Sequence, residues 1–104
     1  MTNDFRNITV DDAQKLLRQG VNNVTVTIDI RDQGSYISGH IEDAMHITDK
    51  NIDHFVQTTD FDTPILIYCY HGHSSQHAAD FLVKQGFETV YSLIGGYTAW
   101  PSNQ

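Results

Sequence analysis

The segment Ile65-Leu66-Ile67-Tyr68-Cys69 constrains this chain more than any other, being apolar throughout and set between the breaker Asp62-Thr63-Pro64 and a polar loop. Both alternating faces of such a run are apolar, as expected of a strand at the centre of a mostly parallel sheet covered by helices on each side. It is far shorter than the roughly 20 apolar residues needed to cross a bilayer, so it belongs to a core and not to a membrane.

The flanking segments fit that reading. Thr9, Asp12 and the apolar set Val10, Ala13, Leu16 and Leu17 predict an amphipathic helix opened by a capping box and stopped at Gly20. Val24, Val26, Ile28 and Ile30 alternate with Thr25, Thr27 and Asp29, which predicts a strand over 24–30 with two chemically different faces, ended by Asp32, Gln33 and Gly34. Residues 44–47 read as a short strand, and Ile52, Phe55 and Val56 recur at helical spacing. Ser74 or Ser75 is placed to cap a helix with Ala78, Phe81, Leu82 and Gln85 on one face and Gly86 at its end. Residues 88–91 predict a last strand, and Gly95-Gly96 a turn leading to Tyr97 and Trp100. Strands alternating with helices give an α/β fold with right-handed crossovers. A length of 104 residues suits a single domain over 1–104.

The net charge of −7 comes from acids scattered along the chain with no basic patch, which disfavours nucleic acid and anionic membranes as partners. No basic-then-apolar signal pattern opens the sequence, so a soluble cytoplasmic protein is expected. One cysteine forms no internal disulfide, and the six histidines lack a second thiol to complete a structural zinc site. No metal is expected.

The stretch Cys69-Tyr70-His71-Gly72-His73-Ser74-Ser75 carries the chemistry. It puts a thiol at the C-terminal end of the central strand, the edge where open α/β sheets bind ligands. A loop this short turns its backbone N–H groups inward, and Gly72 permits a conformation that a β-carbon hinders. These donors and the helix start behind them would lower the thiol pKa below its reference of about 8.5. Nucleophilicity falls with basicity, so the net gain in attack rate is only about threefold for a plausible shift. The larger task of Tyr70, His71, Gly72, His73, Ser74 and Ser75 is then to hold an anionic substrate and to stabilise a persulfide anion on Cys69. A buried cysteine by itself is equally compatible with a core residue. Its place before a glycine loop and a helix start is what favours catalysis.

Three stretches, in order, resemble the rhodanese family: Asp29-Ile30-Arg31-Asp32 with Tyr36, Gly39-His40-Ile41 and Ala44; the Cys69–Ser75 loop; and Val90-Tyr91-Ser92-Leu93 through Gly95-Gly96-Tyr97 to Ala99-Trp100. The resemblance spans nearly the whole chain. It implies a three-layer rhodanese-like fold with a five-stranded sheet and helices on both faces. It also implies a ping-pong transfer of sulfur from thiosulfate through a Cys69 persulfide to cyanide or to a thiol acceptor such as reduced thioredoxin, without metal or organic cofactor.

The chain departs from the family in one respect: the family often has Arg or Lys within or just after the loop, whereas these positions here read His71, His73, Ser74 and Gln76, and close relatives carry Lys where this chain has Gln76. A cation near a bound dianion contributes on the order of 1 kcal/mol at about 4 Å in high dielectric, so thiosulfate affinity is expected to be weak and Gln76→Lys to lower KM. His71 and His73 are candidates for a supporting charge when protonated, whereas His40 reads as a turn or core histidine. Asp29, Arg31 and Asp32 sit at a strand end, where they either face the site or pair with each other and cap backbone groups; the structural account is the stronger, with Arg31 the organiser because its planar fork bonds several oxygens at once. Gly95-Gly96 and Trp100 read as turn and packing features, the turn being a candidate neighbour of the Cys69 loop.

Three other functions compete, of which an inert regulatory rhodanese domain is disfavoured because such domains typically lack the cysteine that this chain keeps. A cysteine phosphatase needs an arginine closing its anion loop, but Ser75 holds that position and the loop is one residue short. A persulfide relay module, fed by a protein partner and using thiosulfate poorly, is the alternative with which the missing loop cation is compatible.

Overall fold

The computed structural model describes residues 4–19 and 24–101. In chain order its elements are β1 (Arg6–Ile8), α1 (Val10–Arg18), β2 (Val26–Asp29), α2 (Gln33–Ser38), β3 (Met45–His46), α3 (Ile52–Thr58), β4 (Ile65–Tyr68), α4 (Ser74–Gln85), β5 (Val90–Leu93) and α5 (Gly96–Ala99). The strands form one sheet in the order β1-β5-β4-β2-β3, and every pairing is parallel. The expectation of a mostly parallel α/β sheet is met by a wholly parallel one.

β4 lies in the middle and all four of its residues are buried. Ile65 and Ile67 join Ile28, Phe55, Ala79, Leu82, Phe87 and Val90 on the face covered by α3 and α4. Leu66 and Tyr68 join Ala13, Ile41, Ala44 and Leu93 on the other face, against α1 and the Tyr97–Trp100 segment. Each aliphatic side chain fully buried this way contributes about 1.5–3 kcal/mol.

Several boundaries differ from the sequence reading, each for a physical reason. Thr9 caps α1 as expected, its hydroxyl accepting from the Asp12 amide at 3.2 Å, while Gly20 lies outside the described residues. The alternation over 24–30 predicted a polar face on β2, yet Thr27 and Asp29 are as buried as Ile28 because helices cover both sides. Residues 88–89 belong to the turn before β5, where the Glu88 amide donates to Phe61 O and Ile65 N donates to Thr89 O. Neither Ser74 nor Ser75 caps α4, since the cap position falls on His73. The buried face of α4 is Ser75, Ala79 and Leu82, while Phe81 stays 40% exposed and Gln85 is exposed too.

β1, α2 and α5 were not delimited by periodicity, each being too short to show it. Asp32 instead opens α2 as its cap, accepting from the Ser35 amide and hydroxyl at 3.1 and 2.8 Å.

Candidate active site

Cys69 follows β4 directly, at the C-terminal edge of the sheet. It is 5% exposed and lines a shallow mouth of about 240 Å³ with Ile30, Arg31, Tyr70, His71, His73 and Ser74. The sulfur is not sealed in apolar surroundings. Gly72 N–H and Ser75 N–H donate to Sγ at 3.2 and 3.3 Å, and the Ser75 hydroxyl lies 3.4 Å away. The fully buried Ser75 Oγ is also 2.8 Å from Ser92 Oγ on β5.

The protonation state of the sulfur orders these hydroxyls. A thiol donates its proton to Ser75 Oγ. A thiolate instead accepts from the Ser75 O–H, which leaves Ser92 as donor to Ser75. Burial opposes the charged form and pushes the Cys69 thiol up, but the Ser75 hydroxyl, then the Ser75, Gly72 and His71 amides, outweigh it and hold the thiol below its ordinary value. Thiolate formation favours the fold fully above the unfolded-state value, and that contribution disappears as pH falls through the lower folded-state value.

Ser92 escaped the sequence reading, which ended the last strand at residue 91 and named Ser92 only within a stretch of the family resemblance, whereas β5 runs to Leu93. Its signal was a lone hydroxyl between apolar neighbours in a buried segment. Ser92→Ala is expected to move the pH midpoint of Cys69 alkylation by iodoacetamide upward and to slow alkylation at pH 7 several-fold, because the Ser75 proton loses its orienting donor. An unmoved midpoint would remove Ser92 from the site.

The loop backbone is sorted by polarity. Tyr97 N–H donates to Cys69 O at 2.8 Å and Thr98 N–H donates to Tyr70 O at 3.1 Å, which draws these carbonyls toward α5. The approach is close enough that a β-carbon on Gly96, whose φ is +61°, would stand 2.4 Å from Tyr70 O. Gly72 has φ +94°, and a β-carbon there would meet Gly95 N at 2.9 Å. The Gly95-Gly96 turn therefore does lie beside the cysteine loop and shapes it.

Behind the loop sits a buried polar web. Arg31 pairs with Asp29 at 2.6 Å and donates to Gly39 O at 2.6 Å, while the Tyr68 hydroxyl donates to Asp29 Oδ2 at 2.6 Å. The guanidinium lies 4.1 Å from the Tyr97 ring centroid and 5.3 Å from that of Tyr70. Its bonds to a carboxylate and a carbonyl, and its contacts with the rings of Tyr68, Tyr70 and Tyr97, make it an organiser of the site's floor. Burial lowers the Arg31 pKa, but hydrogen bonding and attraction to Asp29 overcome this and raise it, keeping the side chain charged.

Of the remaining sequence candidates, His71, His73 and Ser74 are exposed at the rim of the mouth. Tyr70 is 43% exposed, and its hydroxyl is hydrogen-bonded to Ser35 on α2. Gln76 is turned toward the loop, its Nε2 donating to Gly72 O at 2.8 Å. His40 stacks on Tyr36 at 3.9 Å and bonds Tyr36 O, the role expected of a turn histidine.

Residues 9–103 match the Rhodanese-like domain family. The chain belongs to that family.

This rhodanese-like domain is 47% identical over 97 residues to a Pseudomonas fluorescens protein named thiosulfate sulfurtransferase GlpE, covering 93% of the chain and 85% of the relative. A rhodanese-like domain protein from Staphylococcus aureus superposes with TM-score 0.78 at 21% identity, over 93% of this chain and 92% of that one, which bears on the fold alone. The rhodanese-like domain of an Anabaena protein gives TM-score 0.78 at 26% identity, over 90% of this chain and 71% of that one. The five-stranded parallel sheet flanked by helices is thus the rhodanese architecture. No helix among the described residues is long and apolar enough to cross a membrane.

Proposed function

We propose that this rhodanese-like domain, residues 1–104 as one unit, is a cytoplasmic thiosulfate sulfurtransferase with Cys69 as its nucleophile. The observation that carries the reading is the convergence of the Gly72 and Ser75 amides and the Ser75 hydroxyl on Sγ. The 47% identity to a relative named for this activity supports the substrate.

The Cys69 thiolate attacks the outer sulfur of thiosulfate. A Cys–S–S bond forms, the sulfur–sulfur bond of thiosulfate breaks, and sulfite leaves with the electron pair. The negative charge then rests on the outer persulfide sulfur, where N–H groups of the Tyr70–Ser75 loop take the place of water. A nucleophilic acceptor, cyanide or a thiol such as reduced thioredoxin, next attacks that sulfur and returns Cys69 to thiolate. Charge balances at each step, and the transfer itself calls for no metal or organic cofactor.

Phosphate-ester chemistry is disfavoured because Ser75, at the position of the anion-gripping arginine, spends its hydroxyl on Cys69 and Ser92. Intact-protein mass spectrometry tests the proposal. Thiosulfate should add one sulfur atom and cyanide should remove it with formation of thiocyanate. A mass unchanged by excess thiosulfate would reject thiosulfate as donor. Sulfur gained only from a protein persulfide would favour the relay reading instead.

A further inference from the structure

We infer that Tyr70 is a specificity-determining wall, its ring pinned to α2 through Ser35 and Asp32 so that the Cys69 mouth admits slender nucleophiles and turns away broad ones. The inference rests on the sulfur-transfer reading and deepens it by naming the class of acceptor. Beside the mouth of about 240 Å³ lies a second cleft of about 600 Å³, whose lining includes Asp32, Ser35, Ser38 and Gly39. Among the described residues the two concavities share only Arg31 and Tyr70. Arg31 is buried and forms their common floor, whereas Tyr70, 43% exposed, stands between them.

The chemistry of the tether fixes its direction. Hydrogen bonds from the Ser35 hydroxyl and amide hold the Asp32 carboxyl below the usual carboxylate range, so at neutral pH it accepts and does not donate. The single Ser35 hydroxyl proton is therefore committed to Asp32 Oδ1 at 2.8 Å, and the Tyr70 hydroxyl donates its own proton to Ser35 Oγ. That proton is not offered to thiosulfate or to the persulfide, so the ring acts by its bulk. Both ends of the residue are held, since the Tyr70 carbonyl accepts from the Thr98 amide at 3.1 Å. A nucleophile narrow enough to pass the ring, such as cyanide or an unhindered primary thiol, reaches the outer persulfide sulfur with the tether intact. A broad one, such as an aryl thiol, must swing the ring toward the larger cleft and give up one hydrogen bond.

Alkylation of Cys69, the only thiol, reads the wall without any sulfur transfer. The full chain is treated with iodoacetamide and, separately, with N-(1-naphthyl)iodoacetamide, which carries the same reactive carbon on a broad body. Ser35→Ala removes the tether but keeps the amide that Asp32 caps. Its naphthyl-to-plain rate ratio should rise roughly 3- to 10-fold, the worth of one hydrogen bond, while the rate with iodoacetamide stays within about twofold of the wild type. Ser35 is not among the donors to the sulfur. Tyr70→Phe leaves the α2 cap untouched and should raise the ratio by the same factor. The double variant should gain no more than either change alone, because both break one contact. Tyr70→Ala, which removes the ring, should raise the ratio at least as far. In sulfur transfer, kcat/KM for 1-naphthalenethiol as acceptor should rise with the ratio in Ser35→Ala, and kcat/KM for cyanide should not.

A ratio that keeps its wild-type value in Ser35→Ala and Tyr70→Phe overturns the inference. So does a ratio that falls, since the ring would then be a stacking platform for broad reagents, and so do effects that add in the double variant. A wild type that forms no thiocyanate defeats the sulfur-transfer reading on separate grounds, while the alkylation ratio still decides what Tyr70 does.

Discussion

Cys69→Ser is expected to lower kcat/KM for thiocyanate formation by at least about a thousandfold, equivalent to some 4 kcal/mol of transition-state stabilisation. A serine hydroxyl carries essentially no anion at pH 7 and is a poor partner for a sulfane sulfur, so neither half of the cycle has a nucleophile or a leaving group. The fold should hardly notice. The side chain is 5% exposed, and the oxygen can accept the same Gly72 and Ser75 amides, so stability should change by about 1 kcal/mol or less. Activity assays beside thermal melts check the two halves of this expectation. Residual turnover within tenfold of the wild type would exclude Cys69 as the sulfur carrier.

Asp29→Ala should produce the largest loss of stability, about 3–5 kcal/mol by denaturant titration. The substitution strands the Arg31 guanidinium, whose side chain is 3% exposed, and deprives the buried Tyr68 hydroxyl of its acceptor. Small domains hold only about 5–15 kcal/mol in total, so much of the population could be unfolded at 37 °C. The penalty is chiefly that of an unpaired buried charge. Asp29→Ala combined with Arg31→Met should therefore recover part of the loss, and a double variant as unstable as the sum of the two single changes would contradict that account. Because Arg31 lies against the rings of Tyr70 and Tyr97, the single variant should also impair sulfur transfer in whatever fraction stays folded.

The central strand and the reactive loop were legible because each is written in contiguous residues. Ile65–Tyr68 is apolar on both faces, and the cysteine, glycine and helix start follow within a few positions. The Asp29–Arg31 pair was foreseen in kind, since a strand-end arginine beside a carboxylate has few other uses. What the pattern did not carry is pairing across the sheet. Ser92 meets Ser75 only because β5 lies next to β4 in a register that sets Ile67 against Ser92. The alternation of Thr27 and Asp29 with apolar neighbours marked two chemically different faces but not that both are buried, because alternation reports chemical type and not the presence of a covering layer. The two serines that open α4 looked like caps because their hydroxyls suit that task, but the thiol and Ser92 are the partners of Ser75. Gln76 read as a missing cation, since a one-letter comparison registers the charge lost and not the carbonyl engaged.

The hold of α5 on the cysteine loop bears on portability. The carbonyls of Cys69 and Tyr70 are anchored by amides from a segment nearly thirty residues downstream, through a contact that only a residue without a side chain at position 96 allows. Transplanting 69–75 by itself onto a foreign scaffold would leave those oxygens loose, free to swing toward the sulfur and spoil the environment that the amides create. The smallest transferable unit of this chemistry is two segments, the loop and its brace, fixed together at the correct spacing.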